Sequence, residues 1–149
     1  MSETAATVSG ARFAWPVRVY YEDTDAGGVV YHANYVKFME RARTEWLRAL
    51  GFEQDRLREE YGIVFAVRRF SLELRRAARF NDVLEVTCAP EPPRRVSLEF
   101  DQAVWRQQEV LATGRVGVAC VDIHRFVPAA LPEPVRQAVR AAADMNATG

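Results

Sequence analysis

Between Asn34 and Leu50 the apolar residues Tyr35, Phe38, Met39, Ala42, Trp46, Ala49 and Leu50 recur at intervals of three and four, the period of an amphipathic helix. Val36 and Leu47 widen this stripe to about half the circumference, so the helix needs a wide or curved surface to cover it. Asn34 offers an N-cap, and Gly51 a stop just past the last periodic residue. Only EQDRLREEY, at 53–61, reads as another helix nearby, short and superficial. Beyond Gly62 no strong helical period returns until Pro132, where PEPVRQAVRAAA (132–143) gives a terminal helix. One long helix ahead of an uninterrupted run of strands argues against alternating β-α-β units. It predicts an α+β domain in which an antiparallel sheet packs on one main helix.

The strands are legible by their period of two. Val17, Val19 and Tyr21 alternate ahead of the helix. Ile63, Phe65 and Val67 alternate after it, and Phe70, Leu72 and Leu74 then continue in the opposite phase. That change predicts a bulge near Arg68 and Arg69. Leu84, Val86 and Cys88, then Val96, Leu98 and Phe100, repeat the alternation. From Val116 to Val121 both phases are apolar, as in a central strand buried on both faces. Residues 13–143 therefore read as a single domain between a flexible segment at 1–12 and a flexible tail at 144–149.

Composition narrows the function. The 149 residues carry 20 basic and 20 acidic side chains, which gives none of the cationic excess expected of a nucleic-acid binder. No run of about 18 apolar residues is present to span a membrane, and MSETAATVSG resembles no secretory leader, so the expected location is cytoplasmic. Cys88 and Cys120 stand far apart in sequence and are expected as buried thiols. No cofactor is implied.

The unusual stretch is YEDTDAGGVVYHANY, residues 21–35, which sets Glu22, Asp23 and Asp25 just ahead of the long helix. Acid there is partly ordinary, because a helix N-terminus favours negative charge, and Glu22 and Asp23 suit solvated or turn-forming roles. A calcium loop is disfavoured by the missing third ligand position and distal Glu. A D-x-D phosphatase reading would need a doubly wound sheet and a downstream Lys, whereas Lys37 is the only Lys and lies within the helix. The Gly27-Gly28 pair instead permits a turn that brings His32-Ala33-Asn34 to a helix mouth with unpaired N–H groups. Such groups polarise a carbonyl, and a neighbouring carboxylate attacks it or activates water against it. That chemistry suits a thioester, whose thiolate leaves with little protonation, the thiol pKa being about 8.5.

The stretch WPVRVYYEDTDAGGVVYHANYVKFMERARTEWLRALGF closely resembles the opening of the hotdog-fold thioesterases of the 4-hydroxybenzoyl-CoA thioesterase group, above all the YbgC-type, Tol-Pal-associated acyl-CoA thioesterases. The likeness extends through residues 64–86 and weakens after about residue 100. It implies a five-stranded antiparallel sheet wrapped around one helix, assembled as dimers or tetramers with active sites at the dimer interface. It places the catalytic carboxylate on Asp25, with Tyr21 and His32 as accompanying site residues and backbone N–H near His32 as the polarising group. Tyr31 and Asn34, around the helix entrance, are candidates for substrate binding.

Arg68, Arg69, Arg94 and Arg95, with Arg75, Arg76 and Arg79, are candidates for the phosphates of coenzyme A, and equally for a solvated strand face. An acidic acyl carrier protein would use the same arginines. The family commonly has Pro and an Asp pair where this chain has Ala78 and Asn81-Asp82. Glu40 is expected to pair with Arg43, leaving Glu40 and Glu45 as minority candidates for a helix-borne nucleophile. His124 reads as structural. The competing non-enzymatic reading is an acyl-thioester-binding or scaffold protein of the cell envelope machinery, which the intact Asp25 loop disfavours.

Overall fold

The structure, a computed structural model, describes residues 7–9 and 12–148. The strands are β1 (Thr7–Ser9), β2 (Arg12–Arg18), β3 (Ile63–Leu74), β4 (Val83–Pro90), β5 (Ser97–Arg106) and β6 (Glu109–Asp122); the helices are α1 (His32–Ala49), α2 (Gln54–Tyr61) and α3 (Glu133–Thr148). The strands form one antiparallel sheet in the order β1-β2-β4-β5-β6-β3. Its five long strands are those of the expected hotdog sheet, and three-residue β1 extends one edge. At the other edge β3 pairs only with β6.

Register explains which face is covered. Phe13, Cys88, Gln102, Gly114 and Leu72 stand opposite one another across five strands, and on this face α1 lies against β2, β4 and β5. The N-terminal half of α1 buries Tyr35, Phe38, Met39 and Ala42 among Val17, Val19, Leu84, Val86, Val104 and Leu111. Its C-terminal half carries Trp46 and Leu47 into a second cluster with Leu98, Phe100, Val118 and the α3 residues Val135 and Val139. Helix and sheet pack tightly at Gly114, where an added Cβ would lie 2.8 Å from Met39 Sδ.

The β3 register shifts between Val67 and Arg69, at the predicted bulge, and Val116–Val121 is buried throughout. β6 is an interior strand, next to the β3 edge. Cys88 and Cys120 are free and buried. Of the expected flexible ends, residues 1–6, 10, 11 and 149 lie outside the described residues; Thr7–Ser9 pairs with β2, and α3 continues to Thr148. There Asn146 Nδ2 donates to Ala142 O at 2.9 Å, a bond one helical turn back.

Three local expectations are corrected. α1 begins at His32, because Asn34 does not cap it but sits in its first turn. β2 ends at Arg18, so Tyr21 leaves the alternation and is 74% exposed on a 3-10 turn, Tyr21–Asp23. Arg43 pairs not with Glu40 but with Gln102, whose Oε1 accepts from Arg43 Nη1 at 3.0 Å; Gln102 Nε2 in turn donates to Met39 O, tying α1 to β5.

Candidate active site

The acidic stretch folds into two fastened turns. The 3-10 turn is held by Asp23 N–H donating to Tyr20 O and by the N–H and hydroxyl of Thr24 donating to Tyr21 O. Asp25 to Gly28 then reverses the chain, with Gly28 N–H donating to Asp25 O and Asp25 N–H to Val29 O, both at 2.9 Å. Gly28 has φ +83°, a left-handed conformation that glycine adopts without steric cost. Bridges from Thr24 to Val30 and from Val29 to Arg79 make the turn a small hairpin resting on the 78–82 loop.

This folding gives the three carboxylates different work. Asp23 is only 4% exposed; its Oδ2 accepts from Tyr20 N–H and its Oδ1 from Asn34 Nδ2, each at 2.8 Å. Its backbone carbonyl also accepts from Tyr31 N–H. It is a buried fastener between the turn and the first turn of α1. Asp25 sits exposed at the hairpin tip, where Oδ1 accepts from Gly27 N–H at 2.8 Å and Oδ2 has no protein partner among the described residues. Glu22 is exposed, beside Arg41 in a shallow cleft along β2.

Tyr31 occupies the N-cap of α1 in an extended conformation, and no side chain caps the helix. Asn34 N–H donates to Tyr31 O at 2.8 Å, whereas the N–H groups of His32 and Ala33 have no partner among the described residues. Uncapped N–H groups at the positive end of an 18-residue helix form a site for negative charge. The His32 ring lies exposed against Tyr31, centroids 4.5 Å apart, and no hydrogen bond joins it to Asp25. Asp25, Tyr21, Tyr31 and His32 are thus exposed on two adjoining pieces of chain, while Asn34 is buried behind them.

The loop beneath this hairpin adds Phe80, which carries no sequence signal, to the departures at 78 and 81-82. Phe80 stacks on Tyr21, centroids 3.8 Å apart and planes 7° from parallel. Ala78 is fully buried, and its N–H donates to Tyr35 Oη at 3.0 Å, a bond that Pro could not make. Burial raises the Tyr35 phenol above its ordinary pKa. Asn81 takes φ +73° and accepts from Arg18 through both its carbonyl and its amide oxygen. Asp82 accepts from Arg79 N–H and pairs with Arg106 at 2.8 Å, which gives the departure at 81-82 a defined structural role.

Arg68, Arg69 and Arg94 do converge, lining a cleft of about 230 Å³ with Ser97, Glu99, Gly117 and Val118. Arg69 pairs there with the largely buried Glu99, which Arg115 also approaches. Arg95, next to Arg94 in the chain, is not in the lining of this cleft; its carbonyl accepts from Leu131 N–H. Arg75 and Arg76 pair with Glu73 and Glu109. No described contact joins the arginine cleft to the Asp25 hairpin. On α1, Glu45 pairs with Arg48, while Glu40 is exposed. His124 lies in an exposed turn whose Asp122 carboxylate is held below its ordinary pKa by the N–H groups of Arg125 and His124. Among the described residues, no group of three or more His, Cys, Asp or Glu is placed to hold a metal ion.

The sequence profile of the thioesterase-like superfamily matches residues 19–139. The chain is 45% identical over 126 residues to the acyl-CoA thioesterase YbgC of Haemophilus influenzae, covering 85% of this chain and 93% of that one. It is 48% identical over 124 residues to the acyl-CoA thioester hydrolase YbgC of Escherichia coli O6:H1, covering 83% and 92%. In fold it is similar to the DHNA-CoA thioesterase of Staphylococcus aureus, with a TM-score of 0.84 at 22% identity over 91% of this chain and 93% of that one. With a profile match across most of its length, and identities near one half over nearly all of two relatives, the chain belongs to the thioesterase-like superfamily, and within it to the YbgC family.

Proposed function

We propose that the chain hydrolyses an acyl-CoA thioester to a carboxylate and free CoA, with Asp25 as nucleophile or general base. The observation that carries this reading is the open Asp25 Oδ2 at the tip of a hairpin that leads into an uncapped helix. The thioester carbonyl oxygen would accept from the free N–H groups of His32 and Ala33, which stabilise the negative charge as the carbonyl carbon turns tetrahedral. As general base, Asp25 takes a proton from the attacking water. As nucleophile, it forms a mixed anhydride that a second step hydrolyses. In either route the C–S bond breaks and CoA leaves as thiolate. Tyr21, Tyr31 and His32 would surround the acyl end of the substrate, and Asn34 would act through Asp23.

The Arg68-Arg69-Arg94 cleft fits the phosphates of CoA, and the same cationic surface is the feature that would favour an acyl carrier protein. The exposure of Tyr20, Tyr21, Tyr31 and Phe80 around Asp25, and a twelve-residue β3 edge with one neighbour, support a site completed by a second copy in a dimer or tetramer. Residues 13–143 would carry the activity in a cytoplasmic enzyme associated with the Tol-Pal system. Among the described residues, no helix is long and apolar enough to cross a membrane.

The test is thiol release from acyl-CoAs of graded chain length. Asp25→Asn is expected to lower kcat by about 10²–10⁴-fold, and a chelator to leave the wild type unaffected. Full activity in Asp25→Asn would end the assignment, and loss with chelator would require a metal. Hydrolysis of acyl carrier protein thioesters alone would favour the carrier protein as substrate.

A further inference from the structure

Phe80 has no counterpart among the residues that sequence reasoning singled out, yet it is placed more deliberately than most exposed aromatics. The 78–82 loop is fastened to the returning stem of the Asp25 hairpin and to the chain just ahead of the 3-10 turn that leads into it. On one side Val30 N–H donates to Ala78 O and Val29 bridges Arg79; on the other, Asn81 N–H donates to Val19 O and Val19 N–H to Asp82 O. Asp82, held by Arg106 and by Arg79 N–H, closes the loop on itself. Phe80 is therefore carried on a clamped segment, and it lies face to face with Tyr21, which is exposed over most of its surface. Tyr21 is also clamped, since Thr24 donates twice to its carbonyl just ahead of Asp25. Two exposed rings are thus immobilised at the foot of the turn that bears the reacting carboxylate. On the hydrolase reading, the 3-10 turn that carries Tyr21 runs directly into the Asp25 hairpin, which sets the stacked rings on the side of the scissile thioester and not of the adenine, held far off by the pantetheine arm.

We infer that Phe80 determines acyl specificity: by holding the Tyr21 ring in the stack, it fixes one wall of the acyl entrance and limits the bulk of the group admitted beside Asp25. Phe80 acts through Tyr21 and so is a positioning residue. The inference rests on the thioesterase reading above, and its test separates the two. Values of kcat/KM are measured for short linear, long linear and branched acyl-CoAs with wild type, Phe80→Ala, Phe80→Leu and Phe80→Tyr, alongside Asp25→Asn.

Loss of the stack is expected to raise the ratio of bulky to short-chain kcat/KM about tenfold in Phe80→Ala. Phe80→Leu should move the ratio in the same direction and carries the test if the alanine variant does not fold. Phe80→Tyr, which keeps the stack, should restore the wild-type ratio. An unchanged ratio, or an equal fall for every acyl group accompanied by loss of assembly in sedimentation, would overturn the inference while leaving the hydrolase reading intact. Failure of the wild type to hydrolyse any acyl-CoA would remove the reading beneath it instead.

Discussion

Exchanging the two partners of the Asp23–Asn34 bond separates support from chemistry. The buried Asp23 carboxylate accepts two bonds of 2.8 Å, from Tyr20 N–H and Asn34 Nδ2. In Asp23→Asn one acceptor becomes an NH2 group, and because both partners are donors, one bond is lost and two donors face each other. A hydrogen bond to a charged group is worth about 1.5–3 kcal/mol, and a destabilisation of 1 kcal/mol lowers Tm by roughly 2–4 °C at this chain length. A fall of about 3–12 °C is therefore expected. Asn34→Asp alone sets two carboxylates against each other and should cost a similar amount. With both substitutions together, the amide oxygen at position 23 still accepts from Tyr20 N–H, its NH2 donates to the carboxylate at position 34, and that carboxylate lies in the first turn of α1, where the helix dipole favours it. Most of the lost stability should return, so the coupling energy should approach the sum of the two single costs, about 3–6 kcal/mol. Urea unfolding of the four proteins of the cycle measures it, and thiol release from acyl-CoA is followed in parallel. A double variant no more stable than either single one would refute the fastener argument; a stable but inactive one would show that Asp23 takes part in the reaction.

Two further outcomes follow from the packing. Gly114→Ala places a methyl group 2.8 Å from Met39 Sδ and 3.1 Å from Ser71 O, so it should destabilise by about 1–3 kcal/mol in chemical denaturation; an unchanged midpoint would mean that α1 is free to lift from the sheet. The Cys120 thiol is pushed up to about 11 by burial and Cys88 is also raised, so both should resist a thiol reagent at pH 8 until the chain unfolds. Their protonated forms are favoured in the folded state, so this contribution is complete below the unfolded thiol's pKa of about 8.5 and is lost as pH rises toward 11. Cys120→Ala should flatten that alkaline decline in a melting series; rapid labelling of the native protein would contradict the burial.

What could be read from the sequence was whatever depended on period. The phase change at Arg68 and Arg69 calls for a bulge because an extra residue lets Ile63 and Leu72 share one face of the sheet, and the doubly apolar run at 116–121 suits an interior strand. What failed depended on partners far along the chain. Asn34 resembles a cap by type, but its amide is drawn back to Asp23, and the cap position falls three residues earlier, on Tyr31. Arg43 has Glu40 one turn away, yet the side chain bonds Gln102, a residue 59 positions further on. Tyr21 continues the alternation of Val17 and Val19, but Asp23 captures Tyr20 N–H and turns the strand out of the sheet. Asp25 was marked as a candidate by the family likeness, since Gly27, Gly28 and the helix mouth by themselves point only to some neighbouring carboxylate. Phe80 was not, because nothing local marks a loop residue that matters through a ring 59 positions earlier.

The clamp between the 78–82 loop and the Asp25 hairpin also bears on the order of folding. The hairpin, the Asp23–Asn34 bond and α1 arise from one short run of chain and can form by local search as soon as that run exists. Their fastening to Ala78, Asn81 and Asp82 closes loops of some 43–63 residues and must wait for the entry of β4 into the sheet. A chain still in synthesis at α2 would carry every catalytic side chain proposed above while lacking the segment that holds them in place, so competence for chemistry would arrive with the sheet and not with the motif.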